Sequence, residues 1–124
     1  MAKSPKSYNS QVGVPLSIFG IEGYHQVAIL EAGISKAGEM AALEEMIKPN
    51  LGIFTNLGTA HQEGFESLDS KLNEKLSLFL DSNFLIYCTD QKQVSERIEA
   101  LFPTDKLVGW SDRAGAEFTR SVKV

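Results

Sequence analysis

The chain has 124 residues, enough for one domain of modest size, and 43% of them are hydrophobic, enough to bury a core. Charged residues make up 23%, which argues against wholesale disorder, and a formal net charge of -4 with no strong basic cluster argues against a nucleic-acid binder. No apolar stretch reaches membrane-spanning length, Met1-Ala2-Lys3-Ser4-Pro5-Lys6 lacks the apolar run of a signal peptide, and the lone Cys88 has no internal disulfide partner, so a reducing cytoplasm is the expected setting.

The opening stretch through Gln11 is polar, holds one Pro, and reads as loop. Pro15 suits the first turn of a short helix, where its missing N–H is no loss, and Gly20 and Gly23 end that segment. Val27-Ala28-Ile29-Leu30 is a continuous apolar run, the pattern of a strand covered on both faces. Helical spacing follows from Gly38 to Lys48, with Met40, Leu43 and Ile47 on one face and Pro49 after the end. Leu51 to Phe54 is a second apolar run. A loop containing Gly58 and Gly64 leads to a third helix, where Leu68, Leu72, Leu76 and Phe79 form a stripe. Phe84 to Cys88 predicts another buried strand. Val94, Ile98 and Leu101 mark a helix stopped before Pro103, and Lys106 to Trp110 a further strand. Ala116 to Val124 alternates and predicts a last strand leading out of the domain. Strand and helix thus alternate, which predicts an α/β fold with a mostly parallel sheet and flanking helices.

Open parallel sheets bind ligands beyond the carboxyl ends of their strands. Glu31 directly follows the first apolar run, Thr55 and Asn56 follow the second, and His61 lies on the loop beyond. Each has a plain alternative. An acid at a strand end also caps helices or stays solvated, a lone loop histidine usually bonds backbone, and Asn56 before Gly58 suits a turn. Lys75, one turn after Lys71 beside the Leu72–Leu76 stripe, is by default a solvated lysine with a buried stem. Glu66, Asp69 and Glu74 read as surface charge. An acid after four apolar residues also matches the magnesium-side acid of nucleotide hydrolases.

Taken in order, Asn9-Ser10-Gln11-Val12-Gly13-Val14-Pro15-Leu16, Ala28-Ile29-Leu30-Glu31-Ala32-Gly33, Gly38-Glu39-Met40, Pro49, and Thr55-Asn56-Leu57-Gly58-Thr59-Ala60-His61-Gln62-Glu63-Gly64-Phe65, with Lys75 14 residues after His61, resemble the central, ATP-binding domains of Mur ligases. The His61–Phe65 block resembles the type that adds D-alanyl-D-alanine to UDP-N-acetylmuramoyl-tripeptide. The wording of Ser4-Pro5-Lys6-Ser7-Tyr8-Asn9-Ser10 and Glu31-Ala32-Gly33-Ile34-Ser35 is similar to the variant fused to an alanine racemase. The resemblance implies that Glu31 is an acidic ligand of a magnesium ion near the ATP γ-phosphate. It implies that His61 helps hold a second magnesium, and that Lys75 is carbamylated into an anionic oxygen donor. Carbamylation requires a lysine desolvated enough to be neutral. It places Ser7, Asn9, Gln11, Ser35 and Asn56 in segments lining the nucleotide-peptide and phosphate region. The implied chemistry is ATP-dependent amide synthesis through an acyl phosphate.

The sequence also departs from that pattern. Nothing in it reads Gly-x-x-x-x-Gly-Lys-Ser/Thr, the loop whose backbone N–H groups cradle phosphates. In the family this loop lies upstream of the Asn9 region, flanked by an amino-terminal UDP-binding domain and a carboxy-terminal domain. The expectation is therefore that residues 1–124 are a piece of the central domain lacking the phosphate loop, inactive alone and prone to self-association through uncovered apolar surface. Gly33-Ile34-Ser35-Lys36 stands where many members read Gly-Ala-Asn-His, and Cys88-Thr89-Asp90 where they often read Asn-x-Asp, which puts substrate contacts from Ser35 and Lys36 and an adenine contact in question. The competing expectation is a non-catalytic α/β binding or interaction module without an ATP loop. A flavodoxin-like nucleotide binder lacks support, since no Gly-rich loop follows a first strand.

Overall fold

The computed structural model describes residues 1–58 and 65–113. These fall into two compact units, residues 1–48 with 65–78, and residues 49–58 with 79–113. The strand expected at 116–124 lies outside the described residues.

The first unit opens with a strand, not a loop. β1 (Ala2–Lys3) runs parallel to β2 (Ala28–Ile29), with Ala2 opposite Ala28 and Lys3 opposite Ile29. The ladder extends through Ala2 N–H to Val27 O at 2.7 Å and Ser4 N–H to Ile29 O at 2.9 Å. A two-residue strand with one lysine carries no periodic signal, and only its distant partner makes it a strand. β2 corrects a second expectation. Both its residues are exposed, Ile29 at 53%, as is the preceding Val27 at 54%, because a two-residue partner shields an edge and not a face. The connection between the two strands holds α1 (Gly13–Phe19), with Pro15 in its first turn and Gly20 at its end.

α2 (Glu39–Ile47) buries Met40 and Leu43 and ends at Lys48, a left-handed cap (φ 45°) directly before Pro49. α3 (Leu68–Leu76) starts at Ser67, whose hydroxyl accepts the Ser70 N–H at 3.1 Å. Asp69 in its first turn and Lys75 in its last complement the helix dipole. Leu72 and Leu76 are fully buried, and with Val14, Met40, Leu43 and Leu78 they supply this unit's core. The helix tightens into a 3-10 turn at Ser77–Phe79.

The second unit is a parallel sheet of β3 (Leu51–Phe54), β4 (Phe84–Cys88) and β5 (Leu107–Trp110), in that order. The strands are parallel as expected, but among the described residues they divide into two sheets, because β2 pairs with β1. Register aligns Gly52 with Leu85 and Leu85 with Leu107, and Phe54 with Tyr87 and Tyr87 with Gly109. These rows form the buried face. α4 (Lys92–Leu101) covers it, since the Tyr87 hydroxyl donates to Glu99 Oε1 at 3.1 Å, and Ser95 Oγ donates to the same oxygen at 2.8 Å. Burial, then the Glu99 carboxylate, push the Tyr87 phenol up to about 12. α4 inserts Val94 and Ile98, but Phe102 takes the place expected of Leu101, which is 39% exposed. The opposite face of the sheet is open at Leu51 (52%), Ile53 (57%) and Phe84 (43%).

Gly52 is required by this packing, because a Cβ there would clash with Phe79 Cδ1. We expect Gly52→Ala to destabilise the chain by about 1–3 kcal/mol in urea unfolding, through overpacking, while Leu51→Ala on the open face changes stability by about 0.5 kcal/mol or less. Equal effects at the two positions would contradict this assignment of faces.

Candidate functional site

Glu31 stands just past the carboxyl end of β2, exposed, yet it is held at two points by the segment that follows β1. Its backbone N–H donates to Ser4 Oγ at 3.0 Å, and the Asn9 side-chain amide donates to its Oε1 at 3.0 Å. Asn9 also accepts the Gly33 N–H on its carbonyl at 2.6 Å, and a side chain at Gly33 would press on the Asn9 amide, with a Cβ 3.1 Å from Nδ2. Two residues expected at the site, Asn9 and Glu31, are therefore in direct contact.

Of the other expected residues in this unit, Gln11 and Ser35 have partners within the chain. Ser7 is an exposed turn residue at φ 70°, in a turn closed by the Tyr8 N–H on Pro5 O at 3.1 Å. Gln11 Nε2 donates to the Glu39 carbonyl at 3.2 Å. Ser35 turns inward on Glu39, with Ser35 N–H at 2.7 Å and Lys36 N–H at 2.9 Å from Glu39 Oε2. These two N–H groups, Ser35 first, hold the Glu39 carboxyl below its usual 4.5.

Lys75 is half-buried in the last turn of α3. Burial, and secondarily the Lys71 ammonium one turn earlier, push its pKa below the usual 10.5. Lys71 itself is 5% exposed, a burial the sequence did not suggest. Glu74, read from sequence as surface charge, is instead a cap. Its Oε1 accepts the Gly38 N–H at 2.7 Å and the Met40 N–H at 3.1 Å, serving the first turn of α2, whose own N-cap Gly38 has no side chain to do so. A sequence pattern does not reveal such a cap, because the acid lies 36 residues from the N–H it serves.

In the second unit Asn56 is exposed just after β3, ahead of Gly58, whose φ is 66°. Past β4, Asp90 accepts from Ser111 Oγ, from the Asp112 N–H at 3.0 Å and, as an ion pair, from Arg113 Nε at 3.4 Å. The Ser111 hydroxyl first, then the Asp112 N–H, hold its carboxyl below the usual 3.8. His61 lies outside the described residues. Among the described residues no three His, Cys, Asp or Glu side chains are grouped to hold a metal ion, and no helix is long and apolar enough to cross a membrane.

The profile of the Mur ligase middle domain matches residues 1–122. The chain belongs to this Mur ligase family. A UDP-N-acetylmuramoyl-tripeptide--D-alanyl-D-alanine ligase of Borreliella burgdorferi is 35% identical over 119 residues, 87% of this chain and 25% of the relative. A ligase of the same name from Treponema pallidum is 34% identical over 76 residues, 61% of this chain and 17% of the relative. The chain thus spans a quarter or less of the length of these curated relatives. The fold is that of a crystal structure of MurF from Acinetobacter baumannii, with a TM-score of 0.75 at 22% identity over 92% of this chain and 25% of that one. In this Mur ligase middle domain the strand-end acid and the half-buried α3 lysine belong to one unit.

A lysine with a lowered pKa is neutral, and so nucleophilic, at a lower pH than an ordinary one. Competitive acetylation of the chain across alkaline pH should show Lys75 reaching half-maximal reactivity at lower pH than the same lysine in the urea-unfolded chain. Coincident profiles would remove the chemical basis for its modification.

Proposed function

We propose that this chain is part of the ATP-handling domain of a ligase that joins D-alanyl-D-alanine to UDP-N-acetylmuramoyl-tripeptide, a step of peptidoglycan precursor synthesis in the cytoplasm and so of cell-wall growth, cell shape and division. The observation that carries the reading is the Glu31 carboxylate, placed past a parallel strand and held by Asn9 at 3.0 Å. The names of the relatives from Borreliella burgdorferi and Treponema pallidum support the substrates. The resemblance of the 4–10 and 31–35 segments supports a parent fused to an alanine racemase.

The residues present fit magnesium in kind. Glu31 offers an exposed hard oxygen donor at a strand end, as a magnesium ion bound to phosphate requires. Glu31, His61 and Lys75 as its carbamate would hold the ions. Magnesium, when bound, neutralises phosphate charge in phosphoryl transfer. Lys75 contributes by being partly desolvated, which favours the neutral amine that adds to CO2 with loss of a proton. Glu39 and Glu74 keep the start of α2 in place, the first by holding the Ser35–Lys36 turn and the second by capping from α3.

In the reaction the tripeptide carboxylate attacks the γ-phosphorus of ATP and the bond to ADP breaks. The D-alanyl-D-alanine amine then attacks the acyl carbon, losing a proton as phosphate leaves. Positioning of the two substrates would dominate the rate. The sequence of this chain contains no phosphate-cradling loop, so the UDP-binding domain, the loop and the carboxy-terminal domain are the partners it needs.

Two outcomes test this reading. The 124-residue chain incubated with ATP, magnesium and both substrates should form no amide product by mass spectrometry. A longer polypeptide supplying the phosphate loop and flanking domains should form it, and should lose it on Glu31→Gln. Product from the chain alone, or full activity of that variant, would refute the assignment. Separately, exposed Phe19 (83%), Val12 (71%) and Ile53 (57%) support self-association. Light scattering at rising concentration should show a mass above that of one chain, and a constant monomer mass would exclude it.

A further inference from the structure

We propose that Asn9, assisted by Ser4, is the positioning residue of the Glu31 carboxylate, fixing one oxygen so that the other is presented to a divalent cation. The inference rests on the reading of Glu31 as a magnesium ligand. An exposed glutamate at a strand end has no packing to select among its rotamers, and ordering it on binding is entropically unfavourable. Here the order is supplied before any ligand arrives. Ser4 Oγ takes the Glu31 N–H at 3.0 Å and fixes the backbone. The Asn9 amide donates to Oε1 at 3.0 Å and fixes the side chain. Asn9 is itself anchored, because its backbone carbonyl takes the Gly33 N–H at 2.6 Å and its side-chain amide lies against Gly33, where a Cβ would come within 3.1 Å of Nδ2 and 3.2 Å of Cγ.

The chemistry of the donor matters as much as its place. A lysine or arginine in this position would orient the carboxylate equally well but would neutralise it and compete with a metal. A carboxamide is neutral, so it holds Oε1 and leaves the negative charge available. Its own orientation is settled by the same contact, since turning Oδ1 toward Glu31 would set two oxygens against each other. With its side-chain NH2 donating to Glu31 and its backbone carbonyl accepting the Gly33 N–H, Asn9 acts through the acid and not directly on a substrate.

The test uses manganese alone as the cation, titrated into the 15N-labelled 124-residue chain, reading paramagnetic broadening of the residue-31 backbone amide. Broadening in the unaltered chain should be lost in Glu31→Gln. In Asn9→Ala, with α2 and α3 amide shifts unchanged, the manganese midpoint should rise about 2- to 10-fold, the range expected when one side chain must be ordered on binding. Ser4→Ala should move it the same way by less. A midpoint unchanged in Asn9→Ala while Glu31→Gln abolishes broadening would overturn the positioning role and spare the acid. Broadening unchanged in Glu31→Gln would overturn the acid as well. Should Asn9→Ala not fold, the Asn9 side-chain amide resonance decides. It should shift between the unaltered chain and Glu31→Gln, and an unmoved resonance would disprove the contact.

Discussion

Everything near the candidate site depends on a ladder two residues long. β1 and β2 pair in parallel, and a parallel pair cannot close through a tight turn, so the chain between them must make a long excursion. α1 occupies that excursion. So short a pairing would not persist in water unaided. It is reinforced where the strands end, by Ser4 on the Glu31 N–H and by Asn9 on both Gly33 and the Glu31 carboxylate. Ser4 both lengthens the ladder, through its N–H on Ile29 O, and holds the acid's backbone, through its hydroxyl on the Glu31 N–H. Reinforcement of the strand ends and presentation of Glu31 thus share the residues Ser4 and Asn9.

α3 joins packing to chemistry in a similar way. Its Leu72–Leu76 stripe anchors it in the first unit's core, and this burial draws the neighbouring Lys75 partly out of water. Lys71 lies one turn before Lys75, at the spacing at which helical side chains meet, and so adds like charge to desolvation. The adjacent Glu74 reaches the start of α2 and satisfies N–H groups that Gly38 leaves without a cap. Three consecutive residues thus stand in three settings, with Glu74 serving a neighbouring helix, Lys75 holding a partly desolvated amine and Leu76 filling the core. A helix shifted to relieve the lysine's desolvation would break the cap and open the core.

Periodicity made α2, α3 and α4 legible, and the unbroken apolar runs made β3, β4 and β5 legible, because each of those patterns reports burial along a single element. Features made by two distant segments were not legible. Ala2–Lys3 is a strand only because Ala28–Ile29 lies beside it, and Glu74 is a cap only because α2 begins near it. The exposure of β2 had the same origin, since its apolar run signals covered faces and the described chain supplies only an edge partner. At the site, Glu31 was readable from its place after an apolar run. Its bond to Asn9 was not, because the two lie 22 residues apart with a helix between them. Ser7, Gln11 and Ser35 were marked by resemblance alone, and the observed partners of Gln11 and Ser35 are within the chain.

The open face of the second unit follows from the same physics that made its strands recognisable. A parallel sheet normally buries both faces, and its strands are apolar throughout for that reason. β3, β4 and β5 keep this composition, yet α4 covers only the face carrying Leu85 and Tyr87 and leaves Leu51, Ile53 and Phe84 in water. The Glu31 arrangement has no such dependence. Its holding contacts come from residues 4 to 9, all within the first unit. The acid's geometry is therefore local to its unit, whereas the second unit's sheet has a sequence suited to a covering layer that the described residues do not provide.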